Sequence, residues 1–169
     1  MVDDLIFKRK SIRSYTDEDI PEDIIKRILA AAMQAPSALN TQSWEFVVIK
    51  DKDMILKLSK MSKYAGCAKG ANTLIVVLAN LEKLERTRAW FSQDLSAATE
   101  NILLEATNHG VGSVWLGLYP DSDRVAYVRE SLNLPLNVLP FSIVSLGYPK
   151  DRGKVQNRYD ESKIYMEKY

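Results

Sequence analysis

The sequence predicts an α/β layered sandwich. Three observations carry that expectation. Apolar stretches of strand length recur at 44–50, 73–79, 113–119 and 140–149, and the first two are nearly continuous, which argues burial on both faces. Segments of helical period stand between them, so helices are expected to cover those faces. The 169 residues contain no repeat, no low-complexity segment and no obvious linker. The whole of 1–169 therefore reads as one domain, long enough to bury a core.

The elements follow in order. A helix is expected from near Pro21, because proline suits the first helical turn and Glu22 and Asp23 suit the positive end of the helix dipole. Ile24, Ile25, Ile28, Leu29 and Ala32 recur at helical spacing, and the pattern stops before Pro36. The first strand is "WEFVVIK", 44–50, followed by a helix over "KDMILKLSKMS", 52–62. The second strand is "TLIVVLA", 73–79. "QDLSAATENILLEATNHGVG", 93–112, is the strongest helical stretch, rich in Ala, Leu and Glu and closed by Gly110. The third strand, "SVWLGLY", 113–119, is interrupted by Gly117, and a glycine within a strand often marks a bulge or a close backbone approach. A short helix over 121–133, with Asp121 or Ser122 as its cap, leads to the fourth strand, 140–149.

The last twenty residues, 150–169, differ from the rest. They are strongly charged and carry Tyr159, Tyr165 and Tyr169. Such a segment has little apolar surface to bury by itself. It is either frayed or laid across another surface, with the tyrosines as anchors.

Composition narrows the function. With 46% hydrophobic and 27% charged residues and a formal net charge of +1, the chain reads as ordinary soluble globular material, expected in the cytoplasm. No apolar run approaches the roughly 20 residues that span a bilayer. The first ten residues place acids before apolar residues and bases after them, the wrong order for a secretory signal. A single cysteine, Cys67, forbids an internal disulfide and fits a reducing compartment; it reads as an inert small side chain. A single histidine, His109, removes multi-histidine metal sites and most histidine triads, and its place before Gly110 reads as a helix C-terminal cation. No G-x-G-x-x-G follows a strand, and neither a Walker loop nor a G-x-S-x-G elbow occurs. No two carboxylates stand out as a matched acid–base pair.

What remains is anion-binding capacity. "KRKSIRSY", 8–15, packs Lys8, Arg9, Lys10 and Arg13 around Ser11. In an extended segment Arg9, Ser11 and Arg13 project to one side. Two guanidinium forks with a hydroxyl between them suit a phosphate. Lys154 and Arg158 form a second basic group near the other end. A basic run is equally the mark of a solvated face or a nucleic-acid patch, although the near-neutral chain argues against broad binding of a phosphate backbone. The loop "APSALNTQSW", 35–44, places Ser37, Asn40, Thr41 and Gln42 beside a core strand. It reads either as a site orienting a polar heterocycle or as an ordinary turn.

Taken together, four stretches resemble the nitroreductase family of flavoproteins, from about Ile6 to Tyr169. They are "RKSIRSY" followed by "DIPEDI"; "APSALNTQSW"; "ENILLEATNHGVGSVWLG"; and "SLGYP" followed by "NRYDESKIY". The chain departs from the family pattern at Ser43, and at Asn72 and Thr73, where proline is common.

The resemblance implies a three-layer α-β-α sandwich with a mixed, mostly antiparallel central sheet. It implies FMN as the bound cofactor and NADH or NADPH as electron donor. Arg9, Lys10 and Ser11 would grip the FMN phosphate and ribityl chain, with Arg158 closing from the tail. Arg13 would lie by flavin N1 and O2, the Gly117 backbone would face N5, and Leu116 would lie beside it. It implies an obligate homodimer with FMN at the interface, where Pro36, Ser37, Ala38 and Asn40 contact the flavin held mainly by the other subunit and 150–169 wraps the partner. Hydride would pass from the nicotinamide through N5 to an electron-poor acceptor such as a nitroaromatic, quinone or activated alkene, with no nucleic acid, metal or membrane involved. A flavin-binding sensor or carrier without turnover is the alternative, and a basic nucleic-acid module a further one.

Overall fold

A computed structural model describes residues 4–151, 153–154 and 156–169. A helical turn α1 (Leu5–Lys8) precedes α2 (Glu22–Met33), β1 (Trp44–Ile49), α3 (Lys52–Leu58) and β2 (Thr73–Asn80). Then come α4 (Phe91–Asn108), β3 (Gly112–Gly117), α5 (Ser122–Leu132) and β4 (Val138–Gly147). The strand order is β1-β2-β4-β3. All three pairings are antiparallel. The expected mixed character shrinks to one parallel bridge, Ser11 to Ser113, among the described residues.

The two faces of the sheet explain the continuous apolar runs. On β2, Leu74, Val76 and Leu78 join one core cluster and Ile75, Val77 and Ala79 the other. This is the two-residue period of a strand, with both faces apolar. Ile55 and Leu58 of α3 and Val128 of α5 cover the first face. Ile25, Ile28 and Ala32 of α2, with Leu95, Ile102 and Ala106 of α4, cover the second. The result is the expected three layers. Among the described residues no helix is long and apolar enough to cross a membrane.

Local chemistry sets the element ends. Asp51 accepts the Met54 N–H at 2.7 Å and Asp121 accepts the Arg124 N–H at 3.1 Å, capping α3 and α5. Each such cap is worth about 1 kcal/mol. α4 ends at Asn108, and Gly110 takes the left-handed φ of 72° that the helix exit requires. His109 occupies the C-cap, its Nε2 lying 2.9 Å from Glu105 Oε1, the place read for it from sequence. α3 is shorter than the 52–62 pattern implied, and β3 stops at Gly117 instead of running on to 119. The cause is a register shift: Val77 opposes Ser142 but Leu78 opposes Pro140. Phe141 is the extra residue, and its carbonyl accepts the Leu118 and Tyr119 N–H groups at 3.2 and 3.0 Å as the chain leaves the ladder.

The tail behaves as its composition predicts. Beyond Lys150 the described residues are exposed, and Tyr169 is fully so. Its root is tied to the body, where Lys150 N–H donates to the Ser14 carbonyl at 3.1 Å and Tyr15 bridges to Pro149, and a side-chain bond from Lys10 holds it again at Gly153.

Candidate functional site

The basic segment is held against β3 by two buried apolar side chains three residues apart. Ile12 and Tyr15 point inward and are buried, while Ser11, Arg13 and Ser14 face out. Ile12 N–H donates to the Ser113 carbonyl at 2.8 Å. Two glycines permit this close approach: a Cβ on Gly112 would lie 2.8 Å from Ile12 Cγ2, and one on Gly147 would lie 2.8 Å from Tyr15 Cβ. The Tyr15 hydroxyl donates to the Ile12 carbonyl at 2.7 Å and accepts from Ser145 Oγ at 2.8 Å. Burial pushes this phenol well above its ordinary range.

Outward from that anchor lies a cavity of about 730 Å³. Arg9, Lys10, Ser11 and Arg13 line it from the N-terminal segment, and Lys154 and Arg158 from the tail. Glu100 is the one carboxylate on its wall among the described residues, and it pairs with Arg9 Nε at 3.3 Å. The two chain ends are joined at its rim, where Lys10 Nζ donates to the Gly153 carbonyl at 2.7 Å. Five cations and a hydroxyl against one acid make a strongly anion-attracting hollow on a chain of net charge +1.

Arg13 also borders a second cavity of about 360 Å³, with Tyr64, Trp115, Leu116, Gly117 and Arg124. Gly117 is exposed, its φ lies outside the left-handed region, and a Cβ there would meet nothing within 4 Å. The fold therefore does not demand glycine at 117, whereas a flat ligand lying on the main chain does. Arg124 donates from Nη1 to the Gly117 carbonyl at 3.1 Å and pairs through Nε with Asp121 at 3.0 Å.

Of the residues singled out in the sequence, Arg9, Lys10, Ser11, Arg13 and Arg158 thus meet around one cavity. Leu116 and Gly117 join them through Arg13. Pro36, Ser37, Ala38 and Asn40 border neither cavity of their own chain. They sit in a tight turn where Leu39, Asn40 and Gln42 have φ of 52°, 54° and 47°. Such backbone costs on the order of 1 kcal/mol per residue. Ala38 N–H donates to buried Asp94 at 3.1 Å, and Gln42 N–H to Ser37 Oγ at 3.0 Å, so the loop is braced with Leu39 standing 77% exposed. Phe91 packs its ring on Tyr119 and Phe141 at 5.1 and 6.4 Å and lines neither cavity. Cys67 is a free, half-buried thiol. Sequence reading missed Arg124 and Tyr64. Arg124 looks like any arginine in a first helical turn; only the Asp121 cap three residues earlier signals that it is held. Among the described residues no group of three or more His, Cys, Asp or Glu could hold a metal ion.

A hollow lined by cations and joined by one arginine to a bare strip of main chain has the chemistry to accept a phosphorylated planar ligand. The comparisons agree with that chemistry. The nitroreductase family model matches residues 6–65 and 57–148, and the chain belongs to the nitroreductase family. It is 44% identical over 168 residues to a protein of Archaeoglobus fulgidus with the provisional name NADH dehydrogenase/NAD(P)H nitroreductase, covering 98% of this chain and 97% of that one. The crystal structure of a protein of Clostridium acetobutylicum provisionally named NADH oxidase matches with a TM-score of 0.95 at 46% identity, over 98% of this chain and 100% of that one. An FMN-dependent nitroreductase of Clostridium difficile matches with a TM-score of 0.91 at 30% identity, over 98% of each chain.

Proposed function

We propose that this chain is an FMN-dependent oxidoreductase that takes hydride from NADH or NADPH and passes it to electron-poor acceptors by a ping-pong sequence. One observation carries the reading: donors from the two chain ends converge on one cavity, and Arg13 links it to a second cavity over Gly117. The residues fit the group. A phosphate needs several donors at once, and Arg9, Lys10, Ser11 and Arg158 supply them. A ring needs uninterrupted access to main chain, and Gly117 leaves that space open.

When bound, FMN supplies reversible two-electron chemistry. The protein supplies placement and charge. Arg9, Lys10, Ser11 and Arg158 hold the phosphate. Arg13 makes no hydrogen bond or ion pair with a described residue, so its guanidinium remains available to a neighbouring anionic edge, where a fixed cation favours the reduced state. Gly117 and Leu116 form the floor against the ring.

The working unit on this reading is a homodimer. The braced Ser37–Asn40 turn presents exposed Leu39 outward, and the tail presents Tyr159, Ile164 and Tyr165 at 50% exposure or more, surfaces a partner would cover. Pro36, Ser37, Ala38 and Asn40 would reach the FMN of the partner.

The test is direct. The purified protein is expected to be yellow, to release FMN on denaturation, and to bleach anaerobically with NADH or NADPH. Oxidation by nitroaromatic, quinone and activated-alkene acceptors in turn then ranks the substrates. A colourless protein that FMN does not load overturns the proposal; a yellow one that neither nucleotide bleaches reduces it to flavin binding alone.

A further inference from the structure

We propose that Arg124 makes the cavity over Gly117 selective for aromatic acceptors that carry a carboxylate. The inference rests on the preceding reading and adds the substrate class. Four observations support it. Arg124 lines the same cavity as Gly117 and is bonded to the Gly117 carbonyl at 3.1 Å, so its guanidinium stands over the floor on which the ring would lie. That bond and the 3.0 Å pair with Asp121 engage Nη1 and Nε, while Nη2 has no partner among the described residues. A guanidinium held on two sides presents its remaining donors in a fixed direction, which suits a carboxylate.

The walls point the same way. No carboxylate lines this cavity among the described residues, Arg13 faces it, and Lys63 Nζ sits 5.1 Å from the ring of Tyr64 at its edge. Asp121 offsets much of the charge of Arg124, so the positive character of the walls rests on Arg13 and Lys63, and the part left to Arg124 is its unengaged Nη2 donors. Met61, Val114, Trp115 and Leu116 supply apolar surface for an aromatic body. Arg13 is already matched to the cofactor on the preceding reading; Arg124 is the cation left for the second ligand. The diphosphate of a nicotinamide nucleotide is separated from its reacting ring by a ribose, whereas Arg124 is bonded to the residue under that ring. An anion carried on the acceptor's own ring is the one that reaches it.

Benzoate and benzamide, matched in shape and differing in charge, are the probes. Binding to the FMN-loaded protein is followed by calorimetry and by perturbation of the flavin spectrum. Benzoate is expected to bind about tenfold tighter than benzamide, the scale of one charge-assisted hydrogen bond. Arg124→Met should bring the ratio to about one, and Arg124→Lys should restore part of it. Rising ionic strength should lower the benzoate affinity of the unmutated protein toward that of benzamide, which needs no variant. The kcat/KM ratio for 4-nitrobenzoate over 4-nitrobenzamide should follow the same order. A ratio near one in the unmutated protein, or a ratio unchanged in Arg124→Met, overturns the inference. So does displacement of benzoate by inorganic pyrophosphate with equal affinity, which would assign Arg124 to the nucleotide. Flavin content is read from the FMN released by each sample: a fully loaded protein without charge preference sinks this inference alone, and a protein that holds no flavin sinks the preceding reading as well.

Discussion

Lys10 Nζ donates to the Gly153 carbonyl at 2.7 Å, joining residues 143 positions apart. With the Lys150 to Ser14 backbone bond, this contact brings the tail across the basic N-terminal segment. The cavity that gathers Arg9, Ser11, Arg13 and Arg158 exists because of that closure.

Arg9→Ala combined with Arg13→Ala is expected to strip FMN while leaving the fold, and the dimer that the proposed reading calls for, in place. Arg13 is exposed and the Arg9–Glu100 pair is partly so, which limits the cost to folding. Two lost charge-assisted contacts weaken flavin binding by about 100-fold or more. FMN per protomer and sedimentation check both halves; full flavin occupancy in the double variant would remove these arginines from the site.

Gly117→Val separates fold from function. Its Cβ would meet nothing within 4 Å, so the melting temperature without flavin should stay within a few degrees of the unmutated protein. The added methyls fill the space assigned to the ring. Flavin affinity and reduction rate should fall at least tenfold, and titration with FMN measures the first directly. Unchanged flavin affinity would show that nothing lies against residue 117.

Gly147→Ala is the converse case. Its Cβ would come within 2.6 Å of Asn72 Oδ1 and 2.8 Å of Tyr15 Cβ, both buried. Overpacking of this kind costs about 1–3 kcal/mol. A lower denaturant midpoint with unchanged slope is the expected signature, and weaker FMN binding should accompany it because Tyr15 anchors the basic segment.

Tyr15 also sets an alkaline limit. Burial raises its phenol above the ordinary value of 10.0, so the folded state holds a proton that the unfolded state releases first. Unfolding then releases protons above about pH 10, and stability falls as pH rises from there; below that value the contribution is fully present. Tyr15→Phe should lower stability near neutrality by about 1–2 kcal/mol through lost hydrogen bonds, yet flatten the alkaline decline. Denaturant midpoints for both proteins from pH 8 to about 11 test the sign; parallel curves would exclude Tyr15 as the titrating group.

Much of this was legible in the sequence, for reasons that can be named. Leu74–Ala79 read as a strand buried on both faces because the apolar run is short and rich in β-branched residues, and its side chains do divide between two opposite clusters. The α4 stretch announced itself by helix formers and the Gly110 exit. Ser11 between Arg9 and Arg13 offered the donors of an anion site, with a solvated basic face as the equal alternative, and the fold brings those three residues to one cavity. Less was legible where long-range packing decides. The end of β3 at Gly117 follows from the Phe141 bulge, which belongs to a strand more than twenty residues later.

Residue types and local period therefore determined the layers, the element order and the local run of basic side chains around Ser11. Tertiary structure decided which donors share a cavity, that Arg13 stands between two of them, and that Arg124 faces Gly117. The physical reason is reach: helical and strand periods act over a few residues, whereas a binding site is built from side chains whose separation along the chain carries no signal until the sheet and the closing tail bring them together.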